Sequence, residues 1–198
     1  MNMREEVISE LEESASIKRM IAQSLADTIV NAAQMIVRAY QSGGKVLLIG
    51  NGGSAADAQH IAAELMGRFK AERAGLPAIA LTTNTSVITA LSNDFGYDTV
   101  FSRQLETLAG PKDIIIALTT SGSSPNILKA IEVARSHGIS VIGLTGAKGG
   151  KLKNRADLTI MVPSDNTPRI QEAHITIGHI ICLLVEKGLF DEASSVSR

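Results

Sequence analysis

The sequence predicts an α/β fold, a doubly wound and mostly parallel five-stranded sheet flanked by helices, with a helical extension at the N-terminus. Short apolar runs rich in Ile and Val alternate with longer stretches of helical spacing. These runs cover residues 45–50, 78–82, 113–119, 141–146 and 158–163. Runs this short and this apolar suit strands that are covered on both faces. Alternation of strands and helices then requires right-handed crossovers and a parallel sheet.

The helices are predicted from the spacing of apolar residues and from the residues that end each helix. Residues 3–41 carry apolar side chains at three- and four-residue steps and stop at Gly43 and Gly44, and the segment Ser14–Ser16 is expected to break this helix in two. The remaining helices are predicted at 54–68, 85–93, 99–109, 124–136 and 168–187. We therefore expect a helical segment over 1–42 that packs on the core and makes oligomer contacts, followed by an α/β domain over 43–198.

Composition narrows the class of protein. The chain has 198 residues, 19 basic and 20 acidic, with a net charge of −1. This balance predicts neither a nucleic-acid surface nor a polybasic membrane anchor. No run is expected to span a bilayer, and the acidic N-terminus lacks the apolar core of a signal peptide. We therefore expect a cytoplasmic protein. The single cysteine, Cys182, excludes an intramolecular disulfide and is interpreted as a buried apolar residue.

Two predicted strands end in turns suited to an oxyanion. The first turn, within IGNGGSAAD (49–57), offers glycines for close approach of the backbone and Ser54 as a helix cap. The second, within LTTSGSSPNILKAI (118–131), surrounds Gly122 with hydroxyl groups before Pro125 opens a helix. Amides and hydroxyls at a helix start bind phosphate, although such hydroxyls also cap helices. Neither a P-loop nor GxGxxG is present, which favours a phosphorylated metabolite over a nucleotide.

Histidine and carboxylate groups mark two of the helices. His60 and Glu64 share one helix face, and this spacing suits a metal, an acid–base pair or simply a solvated ion pair. The last helix is apolar around most of its circumference yet carries Gln171, Glu172, His174 and His179, and polar groups on such a helix need partners. Either histidine also fits the pattern of a core histidine with satisfied hydrogen bonds. The charged stretches 71–75 and 151–157 are expected to be solvated.

Five ordered blocks together resemble the sugar isomerase (SIS) domain family, and within it the isomerases of sedoheptulose 7-phosphate. The blocks are GNGGSAADAQHIAAEL, SNDFGYDTVFSRQ, LTTSGSSPNILKAI, LTGAKGGKL and RIQEAHITIGHI, so the resemblance runs along nearly the whole chain. It implies a flavodoxin-like sheet and conversion of D-sedoheptulose 7-phosphate to D-glycero-D-manno-heptose 7-phosphate through an enediol. It also implies a homotetramer with active sites between subunits and one zinc ion per subunit.

The resemblance assigns roles residue by residue. Glu64 and His179 are the implied acid–base pair. The implied metal ligands are His60, Glu64, Gln171 and His179. The implied substrate contacts are Asn51, Gly52, Gly53, Ser54, Glu64, Arg68, Asn93, Asp94, Thr119, Thr120, Ser121, Ser124 and Gln171. The chain departs from some members of the family at Pro168, where they have an acidic residue, so the substrate contact at this position is in question.

Two other functions compete with this one. A replication-initiator-binding protein shares the fold but lacks residues corresponding to Glu64 and His179, and both are present here. A different member of the family acting on another ketose phosphate would carry similar turns. Heptose destined for lipopolysaccharide, an S-layer glycan or a capsule requires the same first step, so the sequence leaves these pathways open.

Overall fold

The computed structural model describes residues 2–191 and confirms the predicted fold. The five strands form one parallel sheet in the order β2-β1-β3-β4-β5. The strands are β1 Val46–Gly50, β2 Ala78–Ala80, β3 Ile114–Leu118, β4 Ser140–Thr145 and β5 Leu158–Met161. Each lies within a run predicted from the sequence or is shifted from it by one residue.

The helices flank the sheet in chain order. They are α1 Met3–Ser24, α2 Ala26–Gln41, α3 Gly53–Met66, α4 Thr85–Phe95, α5 Ser102–Leu108, α6 Pro125–Ser136 and α7 Thr167–Phe190. A short 3-10 helix, Tyr97–Thr99, precedes α5, which covers most of the segment predicted as helix 99–109. A second one, Leu152–Asn154, follows β4 and lies within the charged stretch 151–157, where Leu152 is buried.

The break in the N-terminal helix is at Leu25, so the break predicted at Ser14–Ser16 was wrong. The helix continues through Ser14, whose hydroxyl donates to Oε2 of Glu172 at 2.8 Å. At Leu25 the backbone leaves helical geometry, with φ −120° and ψ 1°. The hydroxyl of Ser24 donates to the carbonyl of Met20 at 2.8 Å. A local serine bond of this kind competes with helix continuation, whereas a serine bonded to another helix does not.

Apolar residues on the two faces of the sheet form two separate cores. Helices α1, α2, α3 and α7 cover one face, where Leu48 and Ile116 are buried. Helices α5 and α6 cover the other, where Leu47 and Ile115 are buried. Residues of α1 and α2 therefore belong to the same core as the sheet. This packing agrees with the expected role of residues 1–42, and the division into two units stays a prediction.

Helices α3 and α7 run side by side in the same direction. The side chain of Gln171 lies against Gly53 near the start of both helices, and Ile61 lies against Gly178 further along. A Cβ atom on Gly178 would stand 2.6 Å from Cδ1 of Ile61, so the missing side chain sets how closely the helices approach. This contact brings the polar residues of the two helices together.

Helix α7 is long and apolar enough to span a membrane by length and composition, which the sequence analysis did not expect. Its most apolar window has a mean hydropathy of 1.4. The same helix packs on α2 and α3 and buries residues such as Ile177 and Val185 in the core of the sheet. Its apolar character is that of a core helix.

A pH prediction follows from His174, which is fully buried on α7. Burial lowers the pKa of His174 to about 4, and the nearby Thr145 backbone acts less strongly in the opposite direction. Within residues 2–191, neither ring nitrogen has a partner at full hydrogen-bond geometry. The unfolded state therefore binds more protons between pH 6.5 and 4. We expect His174 to contribute a fall of up to about 3 kcal/mol in the free energy of unfolding over this window as the pH decreases.

Urea denaturation of metal-free protein at a series of pH values measures this slope. His174→Leu should remove this contribution and so change the slope, whereas His137→Gln, at the exposed end of α6, should leave the slope unchanged. An identical slope in the wild type and His174→Leu would contradict the assignment.

Candidate functional site

His60, Glu64 and His179 meet between α3 and α7, and we call them the histidine–carboxylate cluster. Nε2 of His60 lies 3.1 Å from Oε1 of Glu64 and 3.3 Å from Nε2 of His179. The rings of the two histidines are 4.9 Å apart at an angle of 71°. The cluster thus brings together, within a single chain, three of the four residues that the resemblance implies as metal ligands. Side-chain exposures of 48% for His60 and 25% for Glu64 leave the cluster open to a ligand.

The cluster fits a divalent metal ion by its donors and by its spacing. One ligand atom from each of the three residues lies within 4.8 Å of the other two. Two imidazole nitrogens and a carboxylate oxygen are common zinc donors, and an open fourth position is typical of catalytic zinc sites. These residues are able to hold such an ion after small rotations of their side chains.

Gln171, the fourth predicted metal ligand, has its side-chain amide elsewhere in this chain. A Cβ atom on Gly53 would lie 2.6 Å from Nε2 of Gln171, so the amide rests on the backbone at the start of α3. By helical rise this position is about 10 Å before His60 on α3. Within one chain the placement favours a contact with substrate near the first turn. Its role as a metal ligand stays a prediction.

The two predicted oxyanion turns lie side by side at the carboxyl edge of the sheet. Gly50 of β1 is in register with Leu118 of β3, so the turns that follow these strands are adjacent. The chain order reverses between β1 and β3, and such a switch point is where open α/β sheets bind ligands.

A pair of asparagines joins the two turns. The side-chain amides of Asn51 and Asn126 exchange two hydrogen bonds of 2.9 Å, and Asn126 is buried. Tyr97 donates its hydroxyl to Oδ1 of Asn51 at 3.1 Å. The expected cap from Ser54 was wrong, because Gly52 is the N-cap residue and Ser54 lies buried inside the first turn of α3.

The second turn keeps its hydroxyls away from the helix that follows. Oγ1 of Thr119 lies 3.2 Å from Oγ of Ser124 and 3.5 Å from Oγ of Ser121. Ser124 is the N-cap of α6 but makes no side-chain capping bond, and Pro125 opens the helix as predicted. Thr120 is partly exposed in the same turn. Hydroxyls grouped at an uncapped helix start suit an oxyanion better than a capping role.

Three other predicted substrate residues lie near the C-terminal ends of α3 and α4. Arg68 follows the end of α3 with a side chain that is 59% exposed, 3.7 Å from a carboxylate oxygen of Glu72. Asn93 and Asp94 lie exposed near the end of α4, where the amide of Asn93 donates to Oδ1 of Asp94 at 2.8 Å. Their roles toward a substrate stay predictions.

The sequence patterns did not indicate the roles of Asn126, Phe69 and Arg73. The ring of Phe69 is 5.6 Å from that of His179, measured between centroids. Arg73 contradicts the expectation that residues 71–75 are solvated, because its side chain is 1% exposed and pairs with Glu186 at 2.8 Å. The local sequence does not distinguish a buried arginine from a solvated one, because the residue that pairs with Arg73 is 113 positions away in the chain.

Two other groups near the cluster have shifted pKa values. Burial raises the pKa of Asp57, one turn before His60, to about 6, although the nearby His60 acts in the opposite direction. Burial raises the pKa of the Cys182 thiol to about 12, with a further contribution from Glu64. Cys182 is therefore a protonated core residue, as predicted, and not a nucleophile.

Comparison with known proteins gives concordant matches along the chain. The SIS domain model matches residues 11–146. A phosphoheptose isomerase from Roseiflexus sp. (strain RS-1) is 53% identical over 186 residues, which cover 94% of each chain.

Solved structures agree with the sequence relatives. A phosphoheptose isomerase from Neisseria gonorrhoeae superposes with a TM-score of 0.89 at 39% identity, covering 94% of this chain and 100% of the other. One from Francisella tularensis superposes with a TM-score of 0.91 at 40% identity, with the same coverage.

The second turn provides a test of the oxyanion site through Gly122. Gly122 has a φ of +64°, and a Cβ atom there would lie 2.1 Å from the carbonyl oxygen of Gly149. Gly122→Ala should therefore displace the turn and lower the affinity for inorganic phosphate by at least about tenfold, since the turn orients several charge-assisted bonds. Isothermal titration with phosphate measures this loss.

Gly138→Ala is the matched control. Gly138 has a φ of +68° at the end of α6 but no atom within 4 Å of the added carbon. It should lose about 1 kcal/mol of stability from backbone strain and keep its phosphate affinity. Equal phosphate affinity in the two variants would contradict the placement of the anion at this turn.

Proposed function

Because the chain belongs to the SIS-domain family and to the phosphoheptose isomerases within it, we propose that it isomerises D-sedoheptulose 7-phosphate to D-glycero-D-manno-heptose 7-phosphate. The observation that carries the proposal is the histidine–carboxylate cluster, in which His60 contacts both Glu64 and His179. Two of its residues, His60 and Glu64, lie on α3, which begins at the first oxyanion turn. A phosphorylated ketose needs both features in one site.

Conversion of a ketose to an aldose moves a proton between two neighbouring carbons. A base removes a proton from C1 of the ketose, an enediol forms, and a proton returns to C2. Glu64 is the proposed base, since its carboxylate is partly exposed at the cluster. Its contact with Nε2 of His60 at 3.1 Å holds the carboxylate at the cluster.

His179 is the proposed acid for the oxygen atoms of the enediol and for opening of the sugar ring. Its ring is held between His60 and Phe69. Zinc held by His60, Glu64 and His179 would polarise the substrate carbonyl, and close ligation by Glu64 would lower the basicity of that carboxylate. The proposal assigns one zinc ion per subunit, with Gln171 as a further ligand in the assembled protein.

The phosphate end of the sugar is assigned to the two turns. Thr120, Ser121 and Ser124 donate hydroxyls, with Ser54 and the backbone amides of Gly52 and Gly53 on the neighbouring turn. Thr119 supports these hydroxyls through its contacts with Ser121 and Ser124. Hydroxyl contacts farther along the sugar are assigned to Asn51, Arg68, Asn93, Asp94 and Gln171.

The proposed active site is shared between subunits of a homotetramer. Glu64 lies about 16 Å along α3 from Gly53 by helical rise. A seven-carbon chain with its phosphate has roughly eight bonds of about 1.5 Å, which reach about 10 Å in a zigzag. This difference favours a phosphate turn and a catalytic cluster from different chains. Exposed apolar residues offer the contact surface, among them Met3, Val7, Leu11 and Met66.

The setting of the reaction follows from the proposed chemistry. We place the protein in the cytoplasm, where it would supply heptose 7-phosphate as the first step of ADP- or GDP-heptose synthesis, for lipopolysaccharide among other glycans. No nucleic-acid or membrane partner is proposed. The non-catalytic relative that binds a replication initiator is the second candidate, and an isomerase of another ketose phosphate is the third. The paired Glu64 and His179 argue against the second candidate.

Incubation with sedoheptulose 7-phosphate tests the activity. We expect formation of an aldoheptose phosphate that is suppressed by a chelator and restored by zinc. Glu64→Gln should keep the fold and lower kcat by at least about 10³-fold, since it removes the base. Turnover at the wild-type rate in Glu64→Gln would show that Glu64 is not the base. Absence of any aldose product from the zinc-loaded wild type, with other ketose phosphates converted, would shift the assignment to the third candidate.

Analytical ultracentrifugation tests the shared site. We expect a tetramer at micromolar concentration, because the proposed substrate span requires turns and clusters from different chains. Mixing Glu64→Gln with Gly122→Ala chains should restore part of the activity, since mixed tetramers contain sites with neither defect. A monomer with full activity would contradict the shared site.

A further inference from the structure

A buried ion pair lies directly behind the histidine–carboxylate cluster. Nε of Arg73 donates to Oε2 of Glu186 at 2.8 Å, and the two side chains are 1% and 4% exposed. A buried pair of this kind costs desolvation and needs further hydrogen bonds to be tolerated. Both partners have such bonds, and those bonds lead to the residues of the cluster.

Arg73 binds the end of helix α3. Its Nη2 donates to the backbone carbonyl of Glu64 at 2.9 Å, and its Nη1 donates to that of Leu65 at 2.9 Å. The last carbonyls of a helix lack partners within the helix and attract a positive charge. Arg73 thus caps α3 from a loop and holds the backbone of the proposed base itself.

Glu186 binds the loop that follows α3. Its carboxylate accepts the amides of Phe69, Lys70 and Ala71 at 3.1, 3.0 and 2.6 Å. Burial would raise the pKa of Glu186, but these amides and Arg73 outweigh it and hold the pKa below its usual range. The held loop presents the ring of Phe69 to the ring of His179. His179 and Glu186 are seven residues apart on α7, so they lie on the same face of that helix.

We propose that the Arg73–Glu186 pair is a positioning device that sets Glu64 against His179 for proton transfer. Arg73 fixes Glu64 from its backbone, and Glu186 fixes the ring that packs against His179. A displacement of about 1 Å in such a site can cost 10²-fold in rate. This inference rests on the proposed isomerase function, and neither residue touches the substrate in it.

Asp113 offers a matched control, since it is a second buried carboxylate whose hydrogen-bond partners lie outside the cluster. Its carboxylate is also buried, pairs with Nζ of Lys45 at 2.6 Å and accepts the amides of Lys45 and Gly110 at 2.9 and 2.7 Å. Asp113 directly precedes β3, at the end of the strand away from the turns. Asp113→Asn therefore removes a similar buried charge without touching the cluster.

Steady-state kinetics of Glu186→Gln, Arg73→Lys and Asp113→Asn test the proposal, with the folded fraction of each measured by thermal denaturation. For Glu186→Gln and Arg73→Lys we expect kcat per folded molecule to fall at least about tenfold. KM for sedoheptulose 7-phosphate should stay within about twofold, because the phosphate turns are unchanged. Asp113→Asn should lose thermal stability and keep kcat. Wild-type kcat in both Glu186→Gln and Arg73→Lys would overturn the proposal and leave the pair as a fold-stabilising contact.

Zinc affinity separates failure of this inference from failure of the proposed function. Competition with a chromophoric chelator should give zinc binding about tenfold weaker in both variants, as for other residues that orient ligands. If the wild type shows no isomerase activity, the proposed function fails, and weaker zinc binding in both variants still supports the positioning role. In that case equal zinc binding in wild type and variants, or none in any of them, overturns it.

Discussion

The close approach of α3 and α7 at Gly178 is the constraint on which the site depends. A side chain at this position would occupy the space of Ile61, so glycine lets the two helices lie in direct contact over their length. Because they run in the same direction, positions along one helix match positions along the other. Gln171 therefore contacts Gly53, and His179 contacts His60 about two helical turns further along.

The two ends of the proposed substrate are served by different parts of the fold. The carboxyl edge of the sheet supplies two adjacent turns at the switch point, locked together by Asn51 and Asn126. The paired helices supply the titratable groups farther from this edge. Such a division places a long sugar between backbone amides at one end and side-chain chemistry at the other, and it supports the proposal that the site is shared between chains.

Local patterns in the sequence predicted much of this arrangement. Short apolar runs predicted all five strands, and the four-residue spacing of His60 and Glu64 placed both on one helix face. Local patterns failed where the partner is distant in sequence. The pairing of Arg73 with Glu186 joins residues that are far apart in the chain. The bond from Ser14 to Glu172 is also long-range, and it lies at the position where α1 was expected to break. The family resemblance, and not the spacing, supplied the convergence of His60 with His179.

A pair of compensating substitutions tests the helix contact most directly. Gly178→Val should force α3 and α7 apart and lower kcat/KM for sedoheptulose 7-phosphate by at least about tenfold. Ile61→Ala alone should lose stability by opening a cavity and keep most of its activity. The account predicts that Ile61→Ala added to Gly178→Val restores most of the lost activity, because it returns the space that valine takes. Full activity in Gly178→Val alone would contradict the claim that this contact builds the site.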